Sequence, residues 1–404
     1  EDGRATGRLS PDAAERVLER RPEKSMERRL AEADTALDRL LASGVTTFHD
    51  ITPARQMRVY QELKRRGDLR VRVYARPTLD RWEELRAVGL EQGFGDRWLR
   101  IGTLKGFVDG IMGNSSARFY EPYLTSGERG RWRTMMTEPP GMRELMAGAD
   151  TSGFWMGIHA IGDQAIDTLL TMYEATVADR SRGATGEPAD GVGATEDPPA
   201  GAAPGPEGRR DRVIHAQVLR DSTVADRMAE LGLTAEVQPY HAIDDMRWME
   251  ERIGAERSRW AYAFRTLRDA GVRLSFGSDW PGTNAAWYPS SPVLGLYAAV
   301  TRKTLTGEPE EGWFPRERVD VETALRAYTV HNAWAEGAET EKGTIEPGKL
   351  ADLVVLDRSP FRVPPDSLKH LKVLTTVVDG RVAFEASPEE AREALHWAEK
   401  PGLE

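Results

Sequence analysis

Cysteine is absent from all 404 residues. That excludes disulfides, thiolate metal sites and a cysteine nucleophile. Any metal must be held by histidine, carboxylates or a modified lysine. Long apolar runs are missing too: none approaches the roughly 18 residues that a membrane-spanning helix needs. The start of the chain has no signal-peptide pattern. Together these absences lead to the expectation of a cytoplasmic protein that spans no membrane. Lys and Arg total 55 against 65 Asp and Glu, a formal charge of −10. That balance, with no interleaving of aromatic and basic residues, argues against a nucleic-acid binder. Histidine is scarce, at seven residues, so where each one stands carries information.

What is present is an alternation of strand and helix patterns. Ser25 to Leu41 repeats apolar residues at helical spacing behind a Ser25 start, and Gly44 closes that helix. Strand-like runs follow near residues 47, 73, 103, 156, 214, 236 and 274, with helical patterns between them. Such an order predicts an α/β fold with a parallel sheet. Seven strands is one short of a closed parallel barrel. The stretch from about 180 to 210 is rich in Gly, Pro and Ala and poor in large apolar residues. It reads as a disordered insertion without chemistry. From Gly343 the character becomes turn-rich and then strand-like, and Asp379-Gly380 is a hairpin signal. The expected division is residues 1–342 for the barrel and 343–404 for a small β element, ending in a helix from about Pro388 to Glu399.

Four residues stand where chemistry is done in such a fold, at the C-terminal ends of strands. They are Lys105 in Leu104-Lys105-Gly106-Phe107, His159 in Gly157-Ile158-His159, His215 in Val213-Ile214-His215, and Asp279 in Gly277-Ser278-Asp279-Trp280. Lys, His, His and Asp at successive strand ends make the constellation of a metal-dependent hydrolase. Each also has an ordinary reading: a salt-bridged lysine, a histidine satisfied within the core, an aspartate capping a turn. His49 reads as a packing or ligand-orienting residue, and His331 as structural.

The stretches LKGFVDGIMGNSSA, GIHAIGDQAID, RVIHAQ, LTAEVQPYH, LSFGSDWP and KGTIEPGKLADLVVLD, in that order, resemble the amidohydrolase superfamily. More closely they resemble the branch that includes N-substituted formamide deformylase. The resemblance covers about residues 40 to 385. It implies a (β/α)8 TIM-type barrel, with the C-terminal β element belonging to the family's β-sandwich domain. It implies hydrolysis of a C–N bond of amide or formamide type in a small molecule, and a divalent metal, zinc by preference, as one or two ions. Lys105 would be carboxylated and bridge two metals, His159 and His215 would bind one of them, and Asp279 would bind the other and act as general base. The chemistry is coherent: imidazole and hard oxygen ligands suit zinc, the metal acidifies water, and a carboxylate can carry its proton to the leaving amine. Asp109 and Asp163 would orient loops or ligands. His241, Trp280 and Arg118 are the expected substrate contacts. The long Gly110 to Pro140 loop reads as a cover whose Arg and aromatic residues suit a carboxylate or an aromatic group.

One family feature is missing. A His-x-His pair normally stands on the first strand, and this sequence contains none. The expectation is that the chain begins after strand one, so that the absent pair and the absent strand are one absence. A homo-oligomer is compatible with the exposed edge this would leave. The alternative expectation is a catalytically incomplete or truncated member acting as a binding or structural protein.

Overall fold

The computed structural model describes residues 22–183, 208–283 and 286–387, together with 17 and 20. The helix expected over 388–399 lies outside the described residues. So does 184–207, most of the expected insertion. Both ends of that stretch are built into the fold, however. The helix Asp163–Gly183 runs into the start of the expected insertion. Arg180 and Arg209 both pair with the buried Asp150, at 3.0 and 2.9 Å. Burying that carboxylate requires the cations, which is why order extends beyond the apolar pattern.

Two parallel sheets carry the α/β part. The first contains β1 (Thr47–Ile51), β2 (Arg72–Arg76) and β3 (Leu99–Ile101). The second contains β4 (Leu104–Phe107), β5 (Met156–Ala160), β6 (Arg212–His215), β7 (Thr234–Val237) and β8 (Arg273–Phe276), in sequence order. Helices connect them. Met26–Ala42 begins at Ser25, whose hydroxyl accepts from the Arg28 N–H at 3.2 Å, and it buries Leu30, Leu37, Leu40 and Leu41.

The second sheet has two faces, set by the two-residue period of a strand. Ile158, Val213, Ala235 and Leu274 stand side by side, are buried, and belong to the main apolar core. One residue along, Phe107, His159, Ile214, Glu236 and Ser275 form the next row and line a cavity of about 1160 Å³. His215 falls in the core-facing parity, opposite Ala160. Its backbone is left-handed, at φ 76°, and this turns the imidazole to the cavity side, against His159. Such a φ is strained for a histidine.

The strand-like run expected near residue 103 is in fact broken into β3 and β4. Val73 pairs with Leu99, but Thr78 pairs with Lys105, so the second strand carries one residue more. This is a bulge at Gly102-Thr103, of the kind that re-aims side chains. Tyr74 clamps it: its hydroxyl accepts from the Thr103 N–H at 3.1 Å, and its ring packs where a Cβ on residue 102 would lie, 2.0 Å from Cε1. Gly102→Ala is therefore expected to cost about 1–3 kcal/mol of stability and to displace Lys105. Urea denaturation reads the first effect; a variant as stable as the parent would show that the ring can move aside.

β1 and β8 each have a free edge among the described residues. Consecutive residues of β1, Thr47 through Ile51, line the cavity, as do Ser275 through Trp280 at the end of β8 and just beyond it. Consecutive rather than alternate lining means that backbone edges, not one pleated face, border this space. Beyond it, β9 (Leu353–Leu356), β10 (Val373–Val378) and β11 (Arg381–Glu385) form an antiparallel sheet. Asp379 and Gly380 make its two-residue turn with φ 53° and 75°, as a hairpin of this twist requires. Arg72 ties this sheet to β2 by pairing with Asp352 at 2.6 Å and Asp379 at 3.1 Å. No helix among the described residues is long and apolar enough to cross a membrane.

Candidate metal centre

Three side chains converge at the cavity wall. A ligand atom from each of His215, His241 and Asp279 lies within 4.8 Å of the others. His215 ends β6, Asp279 follows β8, and His241 lies in the helix Pro239–Asp245 after β7. Asp279 has φ 54°, a second left-handed residue at this point.

The two imidazoles are set up as metal ligands by their other nitrogens. His215 Nδ1 is 2.7 Å from Gln238 Oε1. The Gln238 amide donates to the Glu236 carbonyl at 3.2 Å, which fixes its oxygen towards the ring. His215 Nδ1 must then carry the proton, leaving the Nε2 lone pair. His241 hydrogen-bonds the Ser278 backbone carbonyl, while its Nε2 is buried without a partner. Its ring stacks on Tyr288 at 3.7 Å, and the residue is 4% exposed. A buried, unpartnered imidazole nitrogen is costly unless something ligates it. Burial lowers the pKa of both histidines well below the usual value, His159 adding to the effect at His215 and His215 to that at His241. Both are thus in the neutral form that binds metal. Two imidazole nitrogens and a carboxylate oxygen are a donor set that fits zinc or a similar divalent ion.

Lys105 and His159 adjoin this trio. Lys105 is 2% exposed and its Nζ lies over the Phe107 ring, 4.7 Å from the centroid. Burial, aided by the Arg76 charge, lowers its pKa to about 7. His159 packs edge-on to His215, with ring centroids 4.6 Å apart. Its Nε2 faces the Gly110 carbonyl at 2.9 Å and Asp109 Oδ1 at 3.4 Å, and burial takes its pKa down to about 3. The expected grouping set His215 with His159 and Lys105, apart from Asp279. The structure packs His159 against His215 and also brings His215 close to Asp279 and to His241, a residue expected to contact substrate.

Asp279 borders the open cavity, yet protein atoms crowd its carboxyl. Burial raises its pKa to about 6, against the opposing Lys105 and Arg76 charges. Below it lies a buried ionic layer that the sequence reading missed. Glu236 bridges Arg76 at 2.7 Å and Arg212 at 2.8 Å. Burial works to raise its pKa, but the two guanidiniums hold it well below the usual range. Arg212 also reaches His49 Nδ1 at 2.9 Å, and His49 Nε2 faces Glu336 at 3.6 Å.

The remaining expected residues fall as follows. Asp109 accepts backbone N–H groups of Arg118, Ile161 and Gly162 at 2.8–3.0 Å. Asp163 accepts from the Tyr120 and Gln164 N–H groups and is not among the cavity residues. Trp280 lines the cavity. Arg118 does not: it is held by Gln164 at 2.8 Å and the Gly130 carbonyl at 3.2 Å, against Trp132. From the same loop Arg131 and Arg133 reach the cavity instead.

A model of the amidohydrolase family matches residues 1–384. The Arabidopsis thaliana protein LONG AFTER FAR-RED 3 is 30% identical over 395 residues, 95% of this chain and 62% of that protein. The N-substituted formamide deformylase of Arthrobacter pascens is 33% identical over 249 residues, 60% of this chain and 39% of that enzyme. Among solved structures, an uncharacterized metal-dependent hydrolase from Pyrococcus horikoshii superposes with a TM-score of 0.69 at 27% identity, covering 88% of this chain and 64% of that one. The chain thus spans less than two thirds of the length of each of these relatives.

Proposed function

Because the chain belongs to the amidohydrolase family, we propose that it hydrolyses a C–N bond of amide or formamide type in a small molecule. The reaction centre is the trio of His215, His241 and Asp279, with Lys105 and His159 beside it. The observation that carries this reading is the convergence of His215, His241 and Asp279, whose ligand atoms lie within 4.8 Å of one another, with His241 Nε2 buried and unpartnered. Held by these three residues, a divalent cation, zinc by preference, would supply the Lewis acidity that makes water a nucleophile near neutral pH. The chain's own residues do the rest. Gln238 holds the His215 proton on Nδ1. The Asp279 carboxylate takes the proton of the attacking water and delivers it to the departing nitrogen. Lys105 Nζ, neutral in part, can add carbon dioxide to give a carbamate and a released proton, which places two further oxygens beside His159.

The same reading joins the two parallel sheets into a single (β/α)8 barrel. The Thr78–Lys105 bridge links them on one side. On the other side, the edges of β1 and β8 that are free among the described residues both border the cavity. The absence of a His-x-His pair from the sequence favours a second reading, in which the chain binds metal and ligand without turnover.

Elemental analysis and assay of N-butylformamide hydrolysis separate the two. The purified chain is expected to hold about one divalent ion per molecule in His215, His241 and Asp279, and His215→Ala should lose it. Gln238→Leu should weaken metal affinity roughly 10–100-fold by freeing the His215 ring. Metal retained in His215→Ala would remove the proposed centre. Metal present without hydrolysis would favour the second reading.

A further inference from the structure

Asp245 has no part in the centre described above, yet it lines the same cavity. It is 3% exposed. One oxygen, Oδ2, accepts from Gln217 Nε2 at 2.8 Å and from the Tyr262 hydroxyl at 2.5 Å. The other, Oδ1, is buried with no donor. No lysine or arginine pairs with Asp245 among the described residues; the neighbouring Arg252 is turned to the Met112 carbonyl. Burial raises its pKa to about 7, the mark of a carboxylate that lacks a counter-charge.

This arrangement is braced from behind. Tyr262 has φ 51° and Ala216, next to Gln217, has φ 41°. One donor to Asp245, Tyr262, is thus itself left-handed and the other, Gln217, directly follows a left-handed residue, and the Tyr262 N–H is tied to the Gln217 carbonyl at 2.7 Å. Arg302, wholly buried, donates to the carbonyls of Tyr262 and Ala261 at 2.9 and 3.3 Å. Strained backbone and a buried arginine spent on holding one carboxylate oxygen leave the second oriented and unsatisfied. A buried unpaired carboxylate is unfavourable on its own and is relieved by a cation that brings its own donors.

Asp245 also stands in a defined place relative to the centre. It follows His241 by four residues on one helix, so the two share a face one turn apart, about 6 Å along the axis. We propose that Asp245 is a specificity-determining residue that binds an ammonium group carried by the substrate about one helical turn from the bond that is cleaved. This rests on the proposed hydrolysis only for the position of that bond.

Equilibrium binding tests it without turnover. Isothermal titration is done on the Asp279→Asn chain with two probes, N-(4-aminobutyl)formamide and N-butylformamide, which differ in the ammonium alone. The amino probe is expected to bind roughly 10–100-fold tighter. Adding Asp245→Asn should erase that preference, because the amide would satisfy Gln217 and Tyr262 with its oxygen and offer a donor to the cavity. Equal affinities, binding of neither probe, or a preference that survives Asp245→Asn would each overturn the assignment. The two-probe comparison with Asp245 intact stands even if the variant does not fold. Metal content and hydrolysis are read separately, so a failure of the catalytic reading leaves this result interpretable.

Discussion

Glu236→Ala is expected to lower the free energy of unfolding by about 3–5 kcal/mol, enough to remove a large part of the stability of an ordinary domain. The carboxylate lies between Arg76 and Arg212, and Arg212 is fully buried. The other hydrogen bonds of Arg76 and Arg212 go to neutral groups: Arg212 reaches the Ala335 carbonyl at 2.6 Å and His49, and Arg76 reaches the His49 carbonyl at 3.0 Å. With the acid gone, two like charges would face each other away from water. Glu236→Gln keeps an acceptor and should cost less. Urea denaturation near pH 7 gives the values. A loss below about 1 kcal/mol for the alanine variant would mean that the guanidiniums are solvated or paired elsewhere, and the buried layer would lose its structural role.

Asp279→Asn is expected to reduce N-butylformamide hydrolysis by roughly 100- to 10,000-fold, the usual worth of a positioned acid–base group. The fold should be indifferent to the change. Asp279 borders the cavity and has φ 54°, a conformation asparagine accepts as readily as aspartate. Thermal unfolding of the variant should therefore match the parent. A rate within about tenfold of the parent, measured on a folded variant, would move the proton-transfer role away from this residue.

Much of the architecture was legible because it rests on local pattern. Apolar runs of strand length between amphipathic segments gave β1, β2 and β5 to β8 within a few residues. Asp379-Gly380 announced its hairpin because few other pairs adopt two successive positive φ values. His159, His215 and Asp279 stand out because a polar residue at or just past the end of an apolar strand is conspicuous, whereas Lys105, expected at a strand end, stands second in β4. What could not be read depends on three dimensions. His241 reaches His215 and Asp279 only through the path of the helix after β7. The signal for Asp245 was present in its four-residue spacing from His241, but nothing in the sequence says which face of that helix meets a cavity. The Arg76–Glu236–Arg212 layer was invisible because charged residues are ordinarily solvated, and only the fold shows that these are not. Arg118, the expected substrate contact, shares its loop with Arg131 and Arg133, and the sequence does not tell which of the three turn inward.

The Arg72 clamp on the small sheet has a consequence for the order of folding events. The parallel strands pair with near neighbours in the chain, and contacts of that kind can form early. Arg72 and Asp352 are 280 residues apart, and the Thr376 hydroxyl that donates to the Leu41 carbonyl is 335 residues from it. Contacts across such distances carry the largest loop-closure entropy. The small sheet therefore docks late. Weakening its attachment speeds the escape from the native state and leaves the rate of reaching it nearly unchanged.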